Sequence, residues 1–319
     1  MWADCAMSGS DHVERFSYSG LVPPPPGWAM EYTQLTPARG QGEGQDLFLP
    51  DMLLRSCRFQ TTFSVSGYGE QERHIFVFLS NMRGGARLNG RPLREGFTAL
   101  CGAQPFEAVL PPIDMLGLTV TRALMDDYLA DVDGLVAPGW MDNGIHAIAE
   151  CEATARAVRM LKALIAHHCD DPAALADDEA RAAVAASVLD ILVPIVSGTD
   201  GSTDGGWSNR YEIVRRTREY ILDRIEEPLQ ISEICRDLGV SRRALQYSFQ
   251  DVLGINPIAF LRVLRLNRAR HDLVRIGAPR QVKDVIDRWG FWHPSRFSCE
   301  YKQMFEELPS ETLRQCQSA

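Results

Sequence analysis

The sequence lacks the features of a membrane protein, a secreted protein or a zinc finger. It has no uncharged apolar run of about 18 residues, so no transmembrane helix is expected. The N-terminus has no basic segment followed by an apolar one, so no secretory signal is expected. The 8 cysteines form no CxxC pair, and no group of cysteines and histidines has zinc-finger spacing. Free thiols in a reducing cytoplasm are therefore expected.

Motifs of catalysis and cofactor binding are missing as well. The sequence contains no GxSxG, P-loop or GxGxxG motif. It also has no HxH followed by Glu, the kind of ligand set that a metal-binding cupin would need. We therefore expect no catalytic residues, no metal and no cofactor, and we expect that the protein is not an enzyme.

The charge is unevenly distributed along the chain. The net charge of −9 at first argues against a nucleic-acid partner. However, residues 1–209 hold 14 Lys and Arg against 27 Asp and Glu, a net of −13, whereas residues 210–319 hold 19 against 15, a net of +4. Within 241–302 the net charge is +7. This asymmetry indicates an anionic partner for the second half of the chain.

Short apolar runs separated by turn residues predict many β-strands in residues 47–124, arranged as a small antiparallel barrel or a sandwich. Asn89-Gly90 between two such runs is a strong signal for a two-residue β-hairpin. Apolar residues at helical spacing then predict a helical hairpin over 142–196. The Pro- and Gly-rich residues 1–46 are predicted to be irregular, and SGTDGSTDGGWS at 197–208 is predicted to be a flexible linker.

Residues 209–319 are predicted to form a separate all-helical domain. In QISEICRDLGVSRRALQYSFQ, Ser232 is a candidate N-cap of a short helix, and Gly239 suits the left-handed position after it. Ser241 then caps a second helix. Two short helices joined by a glycine turn form a helix-turn-helix.

The outward residues of that second helix are of the types that read DNA bases. Arg pairs well with guanine edges and Gln with adenine edges in the major groove, although a solvated face of surface arginines would look the same. A similar unit follows about 50 residues later, with its turn at Gly290 and Pro294 in the first turn of its second helix. The candidate DNA-contacting residues are Arg242, Arg243, Gln246 and Gln250 in the first unit and Ser295, Arg296, Cys299 and Lys302 in the second.

A long helix is predicted between the two units and would hold them at a fixed spacing. Its arginines either bind phosphate or pair with Asp251 and Asp272, and we favour mainly structural roles. These arginines are Arg262, Arg265, Arg268 and Arg270.

The stretch LGVSRRALQYSFQDVLGINPIAFLRVLRLNRARHDL, followed by WGFWHPSRFSCEYKQMF, resembles the paired helix-turn-helix domain of AraC-type transcriptional regulators. Residues 245–273 are similar to the subgroup of ethanolamine-operon regulators. The resemblance implies that the two second helices enter successive major-groove segments on one DNA face. It implies a first recognition helix over Ser241–Gln250, with Tyr247 placed for bases beside Arg243 and Gln246, and a second one that starts at about His293.

Three residues depart from the pattern of that family. Cys299 stands where a basic residue is usual, Glu306 where Gly is usual, and Ile286 where a small Ala is frequent. We therefore expect the second unit to read DNA less specifically and to have an altered turn after its second helix.

AraC-type proteins commonly place a cupin-like barrel and dimerising helices before the DNA-binding domain. The resemblance thus implies an α+β fold, in which residues 47–196 form an antiparallel β-barrel with a helical hairpin that binds an effector or dimerises. If a small molecule binds, the barrel interior is the expected site. The candidate wall residues are Trp28, Phe63, Phe76 and Phe78, with Arg73, Arg87 or Glu107 as polar groups, although we favour ordinary core packing for each of these aromatic residues.

These expectations combine into one function. We expect a cytoplasmic, homodimeric transcriptional activator that binds double-stranded DNA, contacts RNA polymerase and responds to a small-molecule effector, without a membrane partner. The alternative is a DNA-binding regulator whose N-terminal domain binds no ligand and serves for oligomerisation or for contact with a protein partner.

Overall fold

The computed structural model describes residues 12–19, 30–39, 41–131, 137–142, 144–149, 151–198, 209–274 and 281–317. Antiparallel β-structure with three helices makes up the first half, and the second half is helical. The α+β class expected from the sequence is therefore confirmed. One part of that expectation needs correction, because the strands form two sheets rather than one closed barrel.

Twelve strands lie in the described part of the first half. They are β1 (Val13–Ser19), β2 (Met30–Gln34), β3 (Gln41–Leu49), β4 (Met52–Phe59), β5 (Phe63–Tyr68), β6 (Arg73–Ser80), β7 (Ala86–Leu88), β8 (Arg91–Leu93), β9 (Gly96–Cys101), β10 (Pro105–Leu110), β11 (Ile113–Thr121) and β12 (Gly144–Ala149). The larger sheet has the order β1-β3-β4-β11-β6-β9-β12, and the smaller sheet has the order β2-β5-β10-β7-β8. The strand pairs are antiparallel in both sheets.

Strands also occupy part of residues 1–46, which composition alone predicted to be irregular. β1 pairs with β3 along its whole length, from Val13 opposite Leu47 to Ser19 opposite Gln41. The partners of this pairing come from elsewhere in the chain, so the local Pro and Gly content does not reveal it. The PPPPG run and Trp28 lie outside the described residues.

The predicted hairpin at Asn89-Gly90 is confirmed. The two residues connect β7 to β8 and have φ angles of 53° and 80°. A two-residue turn of this kind requires a positive φ at both central positions, which Asn and Gly tolerate better than other residues.

The described helices follow the strands, apart from one helix between β11 and β12. They are α1 (Arg122–Asp131), α2 (Glu152–Asp170), α3 (Asp178–Ser197), α4 (Asn209–Asp223), α5 (Ile231–Leu238), α6 (Arg242–Val252), α7 (Pro257–Val274), α8 (Val282–Arg288), α9 (Pro294–Phe305) and α10 (Pro309–Gln317), with short 3₁₀ segments at Gly139–Asp142 and Pro172–Leu175. The predicted helical hairpin corresponds to α2 and α3. It begins later than residue 142, because β12 pairs with β9 before the first of its helices starts.

The larger sheet is buried on both faces. One face packs against α1, α2 and α3, and the other face packs against the smaller sheet. By length and composition α3 could span a membrane, but its Val188, Leu189 and Leu192 are buried in the core under the larger sheet. The helical half has its own apolar core, which also takes in Leu35 and Val109 from the first half.

Candidate nucleic-acid interface

The first helix-turn-helix unit consists of α5 and α6. Gly239 follows α5 with a φ of 67°, the left-handed conformation that glycine adopts without strain. Ser241 caps α6, because its Oγ accepts a hydrogen bond from the amide of Ala244 at 3.1 Å. The cap of α5 differs from the expectation: Gln230 stands at the N-cap, and Ser232 lies inside the helix.

The outward face of α6 is exposed and positively charged. Leu245 and Phe249 bury the opposite face in the helical core. The guanidinium carbon of Arg243 lies 5.3 Å from the ring centroid of Tyr247, which is 56% exposed. Neither Arg242 nor Arg243 forms an ion pair with a residue that the structure describes. Both guanidinium groups can therefore bind an anionic partner without first breaking an ion pair with a residue that the structure describes.

All six residues predicted for the first unit are exposed. They are Ser241, Arg242, Arg243, Gln246, Tyr247 and Gln250. Gln250 already has a partner, because its Nε2 donates a hydrogen bond to the carbonyl oxygen of Gly254 at 3.1 Å. A base contact through that amide would require the loss of this internal hydrogen bond.

The second unit consists of α8 and α9, joined at Gly290, which has a φ of 70°. Pro294 occupies the first turn of α9, and Phe297 and Tyr301 bury its inner face. Trp292, in the turn before α9, is 79% exposed. The predicted residues of this unit are exposed as well, namely His293, Ser295, Arg296, Cys299 and Lys302.

The main arginine of the second unit, Arg296, already forms an ion pair within the chain. Arg296 Nε donates a hydrogen bond to Glu300 Oε1 at 2.9 Å. The same carboxylate accepts two hydrogen bonds from Arg262 of α7. Glu300 thus ties α9 to α7, and Arg296 must exchange this partner before it can contact a base. Glu300 was not among the residues predicted for this site, and its one local signal is its spacing of four residues from Arg296.

The turn after α9 keeps the left-handed conformation usual for a glycine, so the altered geometry that the sequence suggested is not seen. Glu306 adopts the left-handed conformation with a φ of 56°, and its amide donates to the carbonyl oxygen of Lys302 at 2.9 Å. A residue with a Cβ pays about 1 kcal/mol or more for this conformation relative to glycine. The turn geometry usual for a glycine is therefore kept without the glycine.

The arginines of α7 have structural partners in the described chain. Arg265 Nε donates to the carbonyl oxygen of Ile225 at 3.0 Å. Arg270 forms a buried ion pair with Glu307 at 2.9 Å. The remaining two, Arg262 and Arg268, pair with Glu300 and Glu31. The arginines thus have the structural contacts that we favoured, although with partners other than Asp251 and Asp272.

A small apolar cavity of about 80 Å³ lies between the two sheets. Phe76 and Phe78, predicted as its walls, are instead buried on the opposite face of the larger sheet, against the helices. Phe63 packs between Tyr32 and Phe59 in the core between the sheets but does not line the cavity. Trp28 lies outside the described residues. Side chains such as Ile75, Leu79, Leu100 and Leu110 form the walls in place of the predicted aromatics.

The polar groups at the cavity also differ from the expectation. Arg73, Arg87 and Glu107 do not line it. Arg55 does, and its Nε and Nη2 donate to the two carboxylate oxygens of Asp46 at 2.8 and 2.5 Å. The two residues stand opposite each other on β3 and β4, and this pairing was not evident from the sequence.

Comparison with known proteins finds the helix-turn-helix region in other chains. A family model described as a helix-turn-helix domain matches residues 234–315. The probable thc operon regulatory protein of Rhodococcus erythropolis is 43% identical over 103 residues, which are 32% of this chain and 31% of that protein. The XylDLEGF operon transcriptional activator of Pseudomonas putida is 29% identical over 102 residues, which are 32% of each chain.

A solved structure adds a match over nearly its whole length. It is that of a probable AraC family transcriptional regulator from Rhodopseudomonas palustris, with 32% identity over 97% of that chain and 33% of this one, at a TM-score of 0.31. Sequence identity, rather than this TM-score, is what relates the two proteins. The chain spans about a third of the length of the two curated relatives.

Proposed function

Because the chain belongs to the AraC-type transcriptional regulators, a family that binds DNA, we propose that its two recognition helices, α6 and α9, read successive major-groove segments of one duplex. The observation that carries this proposal is the exposure of every predicted contact residue on the outward faces of these two helices. The 18-residue helix α7 connects the units. A rigid connection of this kind suits two helices that must enter the groove at a fixed spacing.

A duplex that the full chain selects from a random pool tests this function. At physiological salt the protein should bind the selected duplex at least about 1,000-fold more tightly than a scrambled duplex of equal length. Arg156→Ala, which removes an exposed arginine from α2, should leave this ratio unchanged. Equal affinity for selected and scrambled duplexes would contradict sequence-specific binding.

For the first half of the chain we propose an effector-binding role, with residues 47–196 as the sensing domain and residues 209–319 as the DNA-binding domain. The apolar cavity between the sheets supports this role, because it is a concave interior space where a small molecule can lose contact with water. The rival function is ligand-free oligomerisation or contact with a protein partner. Ligand binding at the cavity distinguishes the two.

The proposed regulator acts as a cytoplasmic homodimer that activates transcription through contact with RNA polymerase. The exposed face of α2 supports self-association, since the apolar side chain of Met160 is 48% exposed there. Sedimentation of the full chain should give the mass of a dimer. A monomer at micromolar concentration, bound to DNA with the same specificity, would contradict the dimer.

A further inference from the structure

Three neighbouring strands of the smaller sheet form one wall of the cavity. Tyr32 of β2, Val65 of β5 and Ala108 of β10 lie opposite one another in one row, and all three line the cavity. Successive side chains of a strand point to opposite faces of the sheet. The next row of the same strands therefore faces away from the cavity, toward the helical half.

That next row carries two carboxylates that hold an arginine of α4. Glu31 and Glu107 flank Ser66 in this row. Arg218 donates to Glu107 Oε2 through Nη1 at 2.7 Å and to Glu31 Oε2 through Nη2 at 2.9 Å. Arg268 of α7 lies 2.6 Å from the other oxygen of Glu31. The interdomain charge cluster is made of these four residues: Glu31, Glu107, Arg218 and Arg268.

The interdomain charge cluster is placed to respond to small movements of the cavity wall. Arg218 is 5% exposed and Glu107 is 3% exposed. Burial raises the pKa of Glu107 above its ordinary value, while the attraction of Arg218 acts in the opposite sense. Between buried groups such as Arg218 and Glu107, charge interactions are only weakly screened by water. Their energy therefore depends closely on the distance and orientation of the two groups. Because α4 packs against the recognition helix α6, a shift of Arg218 reaches the first helix-turn-helix unit.

The composition of the cavity selects an uncharged, compact ligand. Its volume of about 80 Å³ is roughly half of the 150 Å³ of an engineered cavity that accepts benzene. Arg55 is the one charged residue among the described residues that line it, and Asp46 neutralises that charge through two buried hydrogen bonds. A carboxylate or ammonium ligand would lose its water and meet an ion pair that is already balanced.

Building on the effector-binding role proposed above, we propose that this cavity takes a compact, uncharged apolar molecule and that the interdomain charge cluster transmits its occupancy to α4 and α6. Three strands then act as a shared wall, with the ligand on one side and the DNA-binding half on the other. The ligand itself need not touch the helical half.

The ligand class is tested on the full chain with three probes that share one branched four-carbon skeleton: 2-methylpropene, isobutyrate and isobutylamine. Methyl NMR signals of Ile75 and Leu110 report on the cavity, and those of Leu313 of α10, in the helical core but outside α4 and α6, serve as the control. The uncharged probe should shift the cavity signals at concentrations at least about tenfold lower than either ion, because the ions pay the cost of desolvation. Preferential binding of isobutyrate or isobutylamine, or no shift with any of the probes, would overturn the ligand class.

Transmission is tested without any ligand, by filling the cavity with Ala108→Leu. In the wild-type background this substitution should change the affinity for the selected duplex by about fivefold or more. In a Glu107→Gln background the change should fall below about twofold, because the cluster no longer couples the two sites. Glu212→Gln, an exposed carboxylate of α4 that pairs with Arg215, is the matched control and should preserve the full change.

Arg268→Gln removes a charge of the same cluster from α7. It replaces Glu107→Gln as the uncoupled background if Glu107→Gln does not fold. An unchanged affinity in Ala108→Leu, or an equal change in all backgrounds, would overturn transmission through the cluster. Specific binding of the unmodified chain to its selected duplex is measured separately. If the unmodified chain does not bind that duplex specifically, the DNA-binding function itself is contradicted. If it binds specifically but Ala108→Leu has no effect, only the coupling between the cavity and the DNA-binding half is contradicted.

Discussion

The two helix-turn-helix units share an architecture but hold their arginines differently. Arg243 of the first unit forms no ion pair with a residue in the described ranges. Arg296 of the second donates to Glu300, which also binds Arg262 of α7. A base contact by Arg243 breaks no ion pair of the described chain, whereas a base contact by Arg296 must replace an existing ion pair. Two recognition helices with exposed contact residues can therefore still differ in their binding free energy to DNA. A side chain that must first give up a partner within the chain contributes less to that free energy.

The largest expected effect separates the two arginines directly. Arg243→Ala should weaken binding to the selected duplex by about 1–3 kcal/mol, the value of a good bidentate contact to a guanine edge. Arg296→Ala should cost about 1 kcal/mol or less, because its contact to DNA is offset by the ion pair that it gives up. Titrations of the selected and scrambled duplexes measure both values. A larger loss for Arg296→Ala than for Arg243→Ala would reverse the comparison.

A partly buried aspartate, Asp272, supports the turn of the second unit. Asp272 accepts a hydrogen bond from Trp289 Nε1 at 2.9 Å. In the first unit Leu238 stands at the position of Trp289, directly before the turn glycine, and its apolar side chain donates no hydrogen bond. Burial acts to raise the pKa of Asp272, but hydrogen bonds from His271 and Trp289 and the charge of Arg288 hold it below its ordinary value. Asp272→Asn should therefore lower the free energy of unfolding by about 1.5 kcal/mol at neutral pH.

The direction of that pKa shift sets the pH dependence. A carboxyl whose pKa is lower in the folded protein stabilises the fold above its unfolded pKa of about 3.8, and this stability is lost as the pH falls through the lower folded value. Urea unfolding at pH 7 and at pH 3 should show a smaller difference for Asp272→Asn than for the wild type. Equal differences would show that Asp272 does not contribute.

Release of Arg296 should make the second unit more like the first. Glu300→Gln removes the carboxylate charge that holds Arg296, so binding to any duplex should strengthen by a few-fold, and the salt dependence should steepen by about one released ion. Glu227→Gln, which removes an exposed charge from the same domain, is the control. If both variants change the slope equally, only net charge is involved and Glu300 has no special role.

The smallest expected change in stability concerns the turn after α9. Glu306→Gly should raise the free energy of unfolding by about 1 kcal/mol, because glycine adopts the left-handed conformation without a Cβ clash. In the first unit Gly239→Ala should cost a similar amount from backbone strain alone, since an added Cβ would meet no atom within 4 Å. Thermal unfolding of both variants measures these changes, and a loss of stability in Glu306→Gly would contradict the strain.

The helical half was predictable because its signals are local. Ser241 as a cap, Gly239 at the turn and the buried spacing of α6 each depend on contacts within a few residues of sequence. The exposed face of α6 follows from that spacing. The sequence did not reveal the partners of exposed charges, since Glu300 and Arg262 are 38 residues apart.

The first half was predictable in its class but not in its details. β6 is apolar along most of its length because both of its faces are buried, so alternation cannot tell which residues point into the cavity. Phe76 and Phe78 were therefore assigned to the wrong face. The contact of Arg218 with Glu31 joins residues 187 positions apart, which no local pattern can indicate.

The most direct test of two unequal recognition helices is a base-by-base substitution scan of the selected duplex with the full chain. The account predicts two sensitive major-groove segments about one helical turn, or roughly 10 base pairs, apart. It further predicts that substitutions in the segment read by α6 cost more than those in the segment read by α9, and that only the former lose their effect in Arg243→Ala. A single sensitive segment, or equal losses in both segments that Arg243→Ala leaves unchanged, would contradict it.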